Sequence, residues 1–220
     1  MRVLVGPDVP LSELYAAPEE PWLRVNMVAT VDGAAAGTSG TSRSINNDVD
    51  KVVFDLLRAQ ADVLVVGAGT LRDEGYAPNR LPIVAVTRTA SVPPTLRDCE
   101  PGKLLLATVS NADGLAEARA LLGEENVLVL GSHRVDLAAL RSTLVERGFR
   151  RILSEGGPHL LRDLLDQGCA DEVCVTTVPL VIGGTHPRIS DGPPVDVPLR
   201  LATLLEEEGT LLARWFVDRG

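Results

Sequence analysis

The chain has 220 residues, 45% of them apolar and 23% charged, which fits one ordinary α/β domain and excludes disorder as the dominant state. A net charge of −9, with only two Trp, two Tyr and three Phe, argues against a polyanionic partner and against a platform that stacks nucleic-acid bases. No Lys/Arg block offers a local exception, and Lys51 and Lys103 are the only lysines.

In chain order, apolar runs bounded by turn residues alternate with helix-period segments. Leu23–Val31 reads as a strand ending at the turn dipeptide Asp32-Gly33, and the small, Gly/Ser/Thr-rich stretch 34–44 as a loop. From Asn46 or Asn47 as N-cap, Val49, Val52, Val53, Leu56 and Leu57 follow the spacing of an amphipathic helix. Asp62–Val66 is a near-continuous apolar strand, the form expected when both sheet faces are covered.

Further strands are expected at 82–87, 103–108, 127–130, 151–154 and 172–177, and helices at 112–122, 137–147 and 158–167. The segments 199–205 and 211–217 flank Glu206-Glu-Glu-Gly209 and read as an antiparallel hairpin closing the sheet. The Pro-rich stretch 190–198 is a loop. A βαβ series ending in a hairpin implies one α/β domain over residues 1–220. Three cysteines without CxxC, no basic leader and no long apolar run describe a reduced, cytoplasmic protein outside the membrane.

Three glycine turns could carry chemistry. Val65-Val-Gly67-Ala-Gly69-Thr70 follows a buried strand, where a nucleotide could sit, but Arg72 stands where a third glycine would complete a dinucleotide fingerprint. A tight strand-to-helix turn explains it equally. In Ser154-Glu155-Gly156-Gly157-Pro158 the glycines would let backbone amides approach a phosphate, and Pro158 suits a first helical position. Glu155 is then a helix cap or an acceptor for a polar ring. Val178-Pro-Leu-Val-Ile-Gly183-Gly184 shows only a strand ending in a turn. His133, His159 and His186 lack metal-ligand spacing, and there is no GxSxG elbow or paired Cys and His. No metal is expected.

Taken in order, Thr30-Val-Asp-Gly33, Gly40-Thr-Ser42, Leu57-Arg-Ala59, Val66-Gly-Ala-Gly-Thr70, Glu155-Gly-Gly157 and Val178-Pro-Leu-Val-Ile-Gly-Gly184 resemble the riboflavin-pathway pyrimidine reductases. The resemblance runs from about residue 22 to residue 217. It implies a dihydrofolate-reductase-like three-layer α/β sandwich, mostly parallel with antiparallel C-terminal strands. It also implies NADPH as cofactor, a homodimer, and reduction of the ribosyl group of a ribosylaminopyrimidine phosphate to ribityl.

Carried over by position, the resemblance puts Ala29, Thr30, Gly67, Gly69, Thr70, Glu74, Arg88, and Gly156, Gly157, Pro158, His159, Leu160 and Leu161 on the cofactor. Arg88 would take the adenosine-side phosphate, through a bidentate fork. Ser42, Ser44, Arg58, Arg80 and Glu155 would face the substrate, and Glu155, Asn26 and Asp32 are the catalytic candidates. Arg58 reads equally as a solvated residue near a helix C-terminus, and Asp32 as a turn residue. The chain departs from the bifunctional members at Ser44, where they carry Trp, at Glu74, where they carry Asp, and at Asn26, where they carry Lys. It also lacks the HxE and PCxxC of their deaminase half. These departures leave two alternatives, the same fold and cofactor on a dihydrofolate-type or other substrate, and a non-catalytic nucleotide-binding relative.

Overall fold

The computed structural model describes residues 1–219. Its strands are β1 (Arg2–Val5), β2 (Trp22–Thr30), β3 (Val63–Gly67), β4 (Ile83–Val86), β5 (Leu104–Thr108), β6 (Val127–Val129), β7 (Arg151–Ser154), β8 (Glu172–Val178), β9 (Leu199–Glu207) and β10 (Thr210–Val217). The helices are α1 (Leu11–Leu14), α2 (Asp48–Gln60), α3 (Ala68–Asp73), α4 (Leu115–Leu122), α5 (Leu137–Glu146) and α6 (Pro158–Asp166). All strands join one sheet in the order β1-β9-β10-β8-β2-β7-β3-β4-β5-β6. From β8 to β6 every pairing is parallel, whereas β10, β9 and β1 add on antiparallel.

The expected elements form, with ends that differ by up to three residues in either direction. Helix α2 starts where its cap dictates, because the Asn47 side chain accepts from Asp50 N at 2.9 Å. Val49, Val53 and Leu57 turn inward, while Val52, on the margin of the apolar stripe, is exposed. Helix α4 begins only at Leu115, since Gly114 occupies its N-cap. In β3, Val63, Leu64, Val65 and Val66 are all buried, as a strand covered on both faces requires.

The C-terminal hairpin turns through Glu208 and Gly209, both at positive φ, which matches the twist of a two-residue turn. It does not close the sheet. Strand β1 pairs outside β9, and β10 lies inside, paired with both β8 and β9, so residues 211–217 are no free edge. Strand β1, α1 and α3 escape the sequence reading: β1 is mostly exposed and lacks alternation, and the helices span four and six residues.

A charged network anchors the N-terminal segment to the sheet. Glu172, fully buried, accepts from Trp22 Nε1, Arg24 Nε and Arg214 Nε, each at 2.7 Å. The two guanidinium groups also donate to the carbonyls of Leu14, Tyr15 and Ala16. Burial alone would raise the Glu172 carboxyl, but Arg24 and Arg214 more than offset it and hold it below the ordinary glutamate value.

Candidate active site

The turns after β3, β4 and β7 lie at the carboxyl ends of parallel strands, where open α/β sheets bind ligands. They line a cleft of about 770 Å³ that includes Gly67, Gly69, Thr70, Arg88, Gly157 and His159. A second cleft, of about 680 Å³, is lined by residues that include Asn26, Ser42, Asp50, Arg58, Tyr76 and Glu155. The two share Thr70, Asp73, Gly157, Pro158, His159 and Asp191, so a molecule in each would meet across that wall.

The glycines are needed for this approach. Gly156 has φ of +74°, and a Cβ on it would sit 2.7 Å from Met27 Sδ. A Cβ on Gly157 would collide with the Thr70 hydroxyl. Helix α6 starts immediately beyond with Pro158 and has no side-chain cap, so the first-turn amides of His159 and Leu160, residues that line the first cleft, have no intrahelical partners. Backbone donors at a helix N-terminus, a threonine hydroxyl and the exposed Arg88 fit a dinucleotide diphosphate and a further phosphate.

In the second cleft, three donors hold Glu155. Arg58 Nε reaches Oε1 at 2.6 Å, Arg58 Nη2 reaches Oε2 at 2.7 Å, and the Tyr76 hydroxyl donates to Oε2 at 2.6 Å. The Arg58 guanidinium also lies 4.2 Å from the Phe54 ring centroid. Burial pulls the Arg58 pKa down, but the bonds and charge of Glu155 outweigh it and the net shift is upward. Burial and the adjacent Glu155 push the Tyr76 phenol far above its ordinary value, so it acts as a donor. These three bonds brace Glu155 on the lining of the second cleft.

The remaining expected residues fall into three groups. Gly67, Gly69, Thr70, Arg88, Gly157, Pro158, His159 and Leu160 line the first cleft, and Asn26, Ser42, Arg58 and Glu155 the second. Glu74 belongs to the second cleft, where its Oε1 accepts from Ser42 N at 2.7 Å and its carbonyl from Arg43 Nη2 at 2.6 Å.

The third group lines neither. Ala29 and Thr30 are buried outside both linings. Leu161 is in the core, and Gly156 lies beneath Gly157. Ser44 bonds Ser39 and Thr41 within its loop. Arg80 is exposed, its carbonyl taken by Lys103 Nζ at 2.8 Å, while Arg43 lines the cleft instead. Asp32 accepts from the Thr30 hydroxyl and from the amides of Gly183 and Ile182, contacts that hold its carboxyl below the ordinary value. It fastens the 182–183 turn.

Sequence reasoning missed Tyr76, Arg43 and Asp50. Only Asp50 left a signal, as a carboxylate at i, i+3, i+7 spacing with the buried Val53 and Leu57.

Comparison with known proteins follows this geometry. Residues 21–210 match the RibD C-terminal domain family. The chain is 31% identical over 191 residues to a 2,5-diamino-6-ribosylamino-4(3H)-pyrimidinone 5′-phosphate reductase from Archaeoglobus fulgidus, covering 78% of this chain and 87% of that one. Its fold is similar to the crystal structure of a pyrimidine reductase-like protein from Corynebacterium diphtheriae, with TM-score 0.79, 22% identity and coverage of 97% and 96% of the two chains. It also resembles dihydrofolate reductase from Enterococcus faecalis, with TM-score 0.55, 13% identity and coverage of 90% and 98%. The architecture is therefore dihydrofolate-reductase-like.

Proposed function

The chain belongs to the RibD C-terminal domain family, and on that premise we propose that it is an NADPH-dependent reductase of 2,5-diamino-6-ribosylamino-4(3H)-pyrimidinone 5′-phosphate. It is an oxidoreductase of riboflavin biosynthesis and converts a ribosyl group to a ribityl chain. The observation that carries this reading is the pair of clefts sharing one wall at Thr70 and Gly157, which lets a donor in one meet an acceptor in the other.

Gly67, Gly69, Thr70 and the first-turn amides of α6 would hold the cofactor diphosphate, and Arg88 the adenosine-side phosphate that separates NADPH from NADH. NADPH, when bound, supplies the hydride. On the other side, the Glu155 carboxylate accepts N–H donors of the pyrimidine, and Arg58 fixes its orientation. Arg43 and Ser42 are placed to take the sugar phosphate. The same reading has the protein acting as a homodimer in the cytoplasm without nucleic acid, and its charge of −9 supports the last of these.

Titration with NADPH and NADH, followed by nicotinamide fluorescence, tests the proposal. Micromolar NADPH binding is expected, with NADH at least about tenfold weaker, roughly 1.4 kcal/mol. Binding of neither would overturn it.

A further inference from the structure

Asp50 is 2% exposed, lines the floor of the second cleft and has no role in the assignments above. The Thr176 hydroxyl bonds its carboxyl, and Oδ1 has no partner among the described residues. The register places Val28 beside Thr176 and Asn26 beside Cys174, so Asn26 and Thr176 project from one sheet face, the face on which Asp50 meets Thr176. Asn26, 8% exposed, likewise leaves its Oδ1 unpartnered and lines the same cleft. Two buried acceptors without donors on one cleft wall are costly unless a proton or a ligand satisfies them.

The proposed reaction needs a proton as well as a hydride. The C1′–O4′ bond of the ribosyl ring breaks with its electron pair on O4′, C1′ gains a hydride, and O4′ must take up a proton to become the ribityl hydroxyl. In sum, substrate, NADPH and one proton give product and NADP⁺.

The other groups facing this cleft are committed elsewhere. Glu155 accepts from three donors, and Arg58 is spent on Glu155. Glu74 accepts from Ser42 N, with Arg43 Nε at 4.0 Å. Asp73 and Asp191 are exposed at the rim, and His159 is bonded to the Asp191 carbonyl. Asn26 has no titratable proton. Cys174, on the same sheet face, bonds Glu172 through its thiol, and burial holds that thiol well above its ordinary value.

Resting on the proposed function, we propose that Asp50 is the acid of this site: its carboxyl proton goes to O4′ as the C1′–O4′ bond opens, and solvent then reprotonates it. Burial pushes this carboxyl above the ordinary aspartate value, against the opposing bond from Thr176. A protonated carboxyl also removes the cost of a buried charge that has no cation paired with it among the described residues.

The test compares wild type with Asp50→Asn, a near-isosteric change that cannot give up a proton. Three quantities are read: binding of the ribityl product by calorimetry, single-turnover hydride transfer, and the infrared carbonyl band of a protonated carboxylic acid at neutral pH. The expected result is product affinity within about threefold, hydride transfer slowed by about a hundredfold or more, and a protonated-acid band present in wild type and absent in the variant. A variant rate within about threefold of wild type would overturn the assignment, as would a wild type lacking the band. So would equal losses in binding and rate, which mark a positioning residue. If wild type itself binds NADPH but leaves the substrate unreduced, the proposed function fails first and Asp50 with it. Should Asp50→Asn not fold, Asp50→Ser takes its place under the same criteria.

Discussion

Glu155 and Glu172 are each gripped by arginine and by one aromatic donor, yet they serve opposite ends. Glu172 sits in the interior with no exposed surface, held between Arg24 and Arg214, and those arginines spend their remaining donors on the carbonyls at 14–16. Glu155 has one arginine and one phenol, and Arg58, with 28% of its side chain exposed, borders a cleft. Similar chemistry builds the fold when every donor is consumed internally, and builds a site when one face is left for a ligand.

The sharpest way to break this comparison is at the interior pair. Glu172→Ala leaves two buried guanidinium groups without a counter-charge and should cost roughly 3–5 kcal/mol of stability, read by urea unfolding. Because the Glu172 carboxyl is held below its unfolded value, its contribution is complete above the unfolded pKa and is lost as pH falls through the folded one. The stability gap between wild type and variant should therefore stay constant near neutrality and narrow on acidification below about pH 4.5, the region of an ordinary glutamate. A gap that widens in acid would contradict the account.

At the cleft pair the loss should move from stability to activity. Arg58→Ala is expected to lower kcat/KM about a hundredfold, roughly 2.7 kcal/mol, and to cost less stability than Glu172→Ala, since it leaves one carboxylate still bonded by the Tyr76 hydroxyl rather than two buried guanidinium groups without a counter-charge. A stability loss matching that of Glu172→Ala would erase the distinction. Arg88→Ala should leave NADH binding unchanged and weaken NADPH about tenfold, roughly 1.4 kcal/mol, as seen by fluorescence titration. The smallest effects sharpen the phosphate assignment: Arg43→Ala should raise KM about fivefold, or about 1 kcal/mol, and Arg80→Ala, off the cleft, by less than about twofold. Reversed magnitudes would return the phosphate to Arg80.

What could be read from the sequence follows from what is local. Helix α2 announces itself through the Asn47 cap and the spacing of Val49, Val53 and Leu57, and β3 through four consecutive apolar residues. Glu155 and Gly157 were legible because a glycine pair before Pro158 dictates a strand-to-helix turn whatever surrounds it. Strand β1 was not, because an exposed strand takes its place from pairing with β9, some 200 residues away. Tyr76 and Asp50 were hidden for the same reason. Tyr76 matters through a carboxylate 79 positions distant, and Asp50 through burial against β8, and no spacing along the chain encodes either. Arg80 is exposed and outside the linings of both clefts, whereas Arg43 lines the second from another loop, a difference that no local pattern encodes.

The central claim is that the two clefts bring NADPH and a phosphorylated ribosylaminopyrimidine together for reduction. Its most direct test incubates the protein with both, follows loss of nicotinamide absorbance and weighs the product by mass spectrometry. The account predicts one NADPH consumed per substrate and a product heavier by two hydrogens, formed neither with NADPH alone nor with dihydrofolate. NADPH bound tightly while the pyrimidine returns unchanged in mass would contradict it.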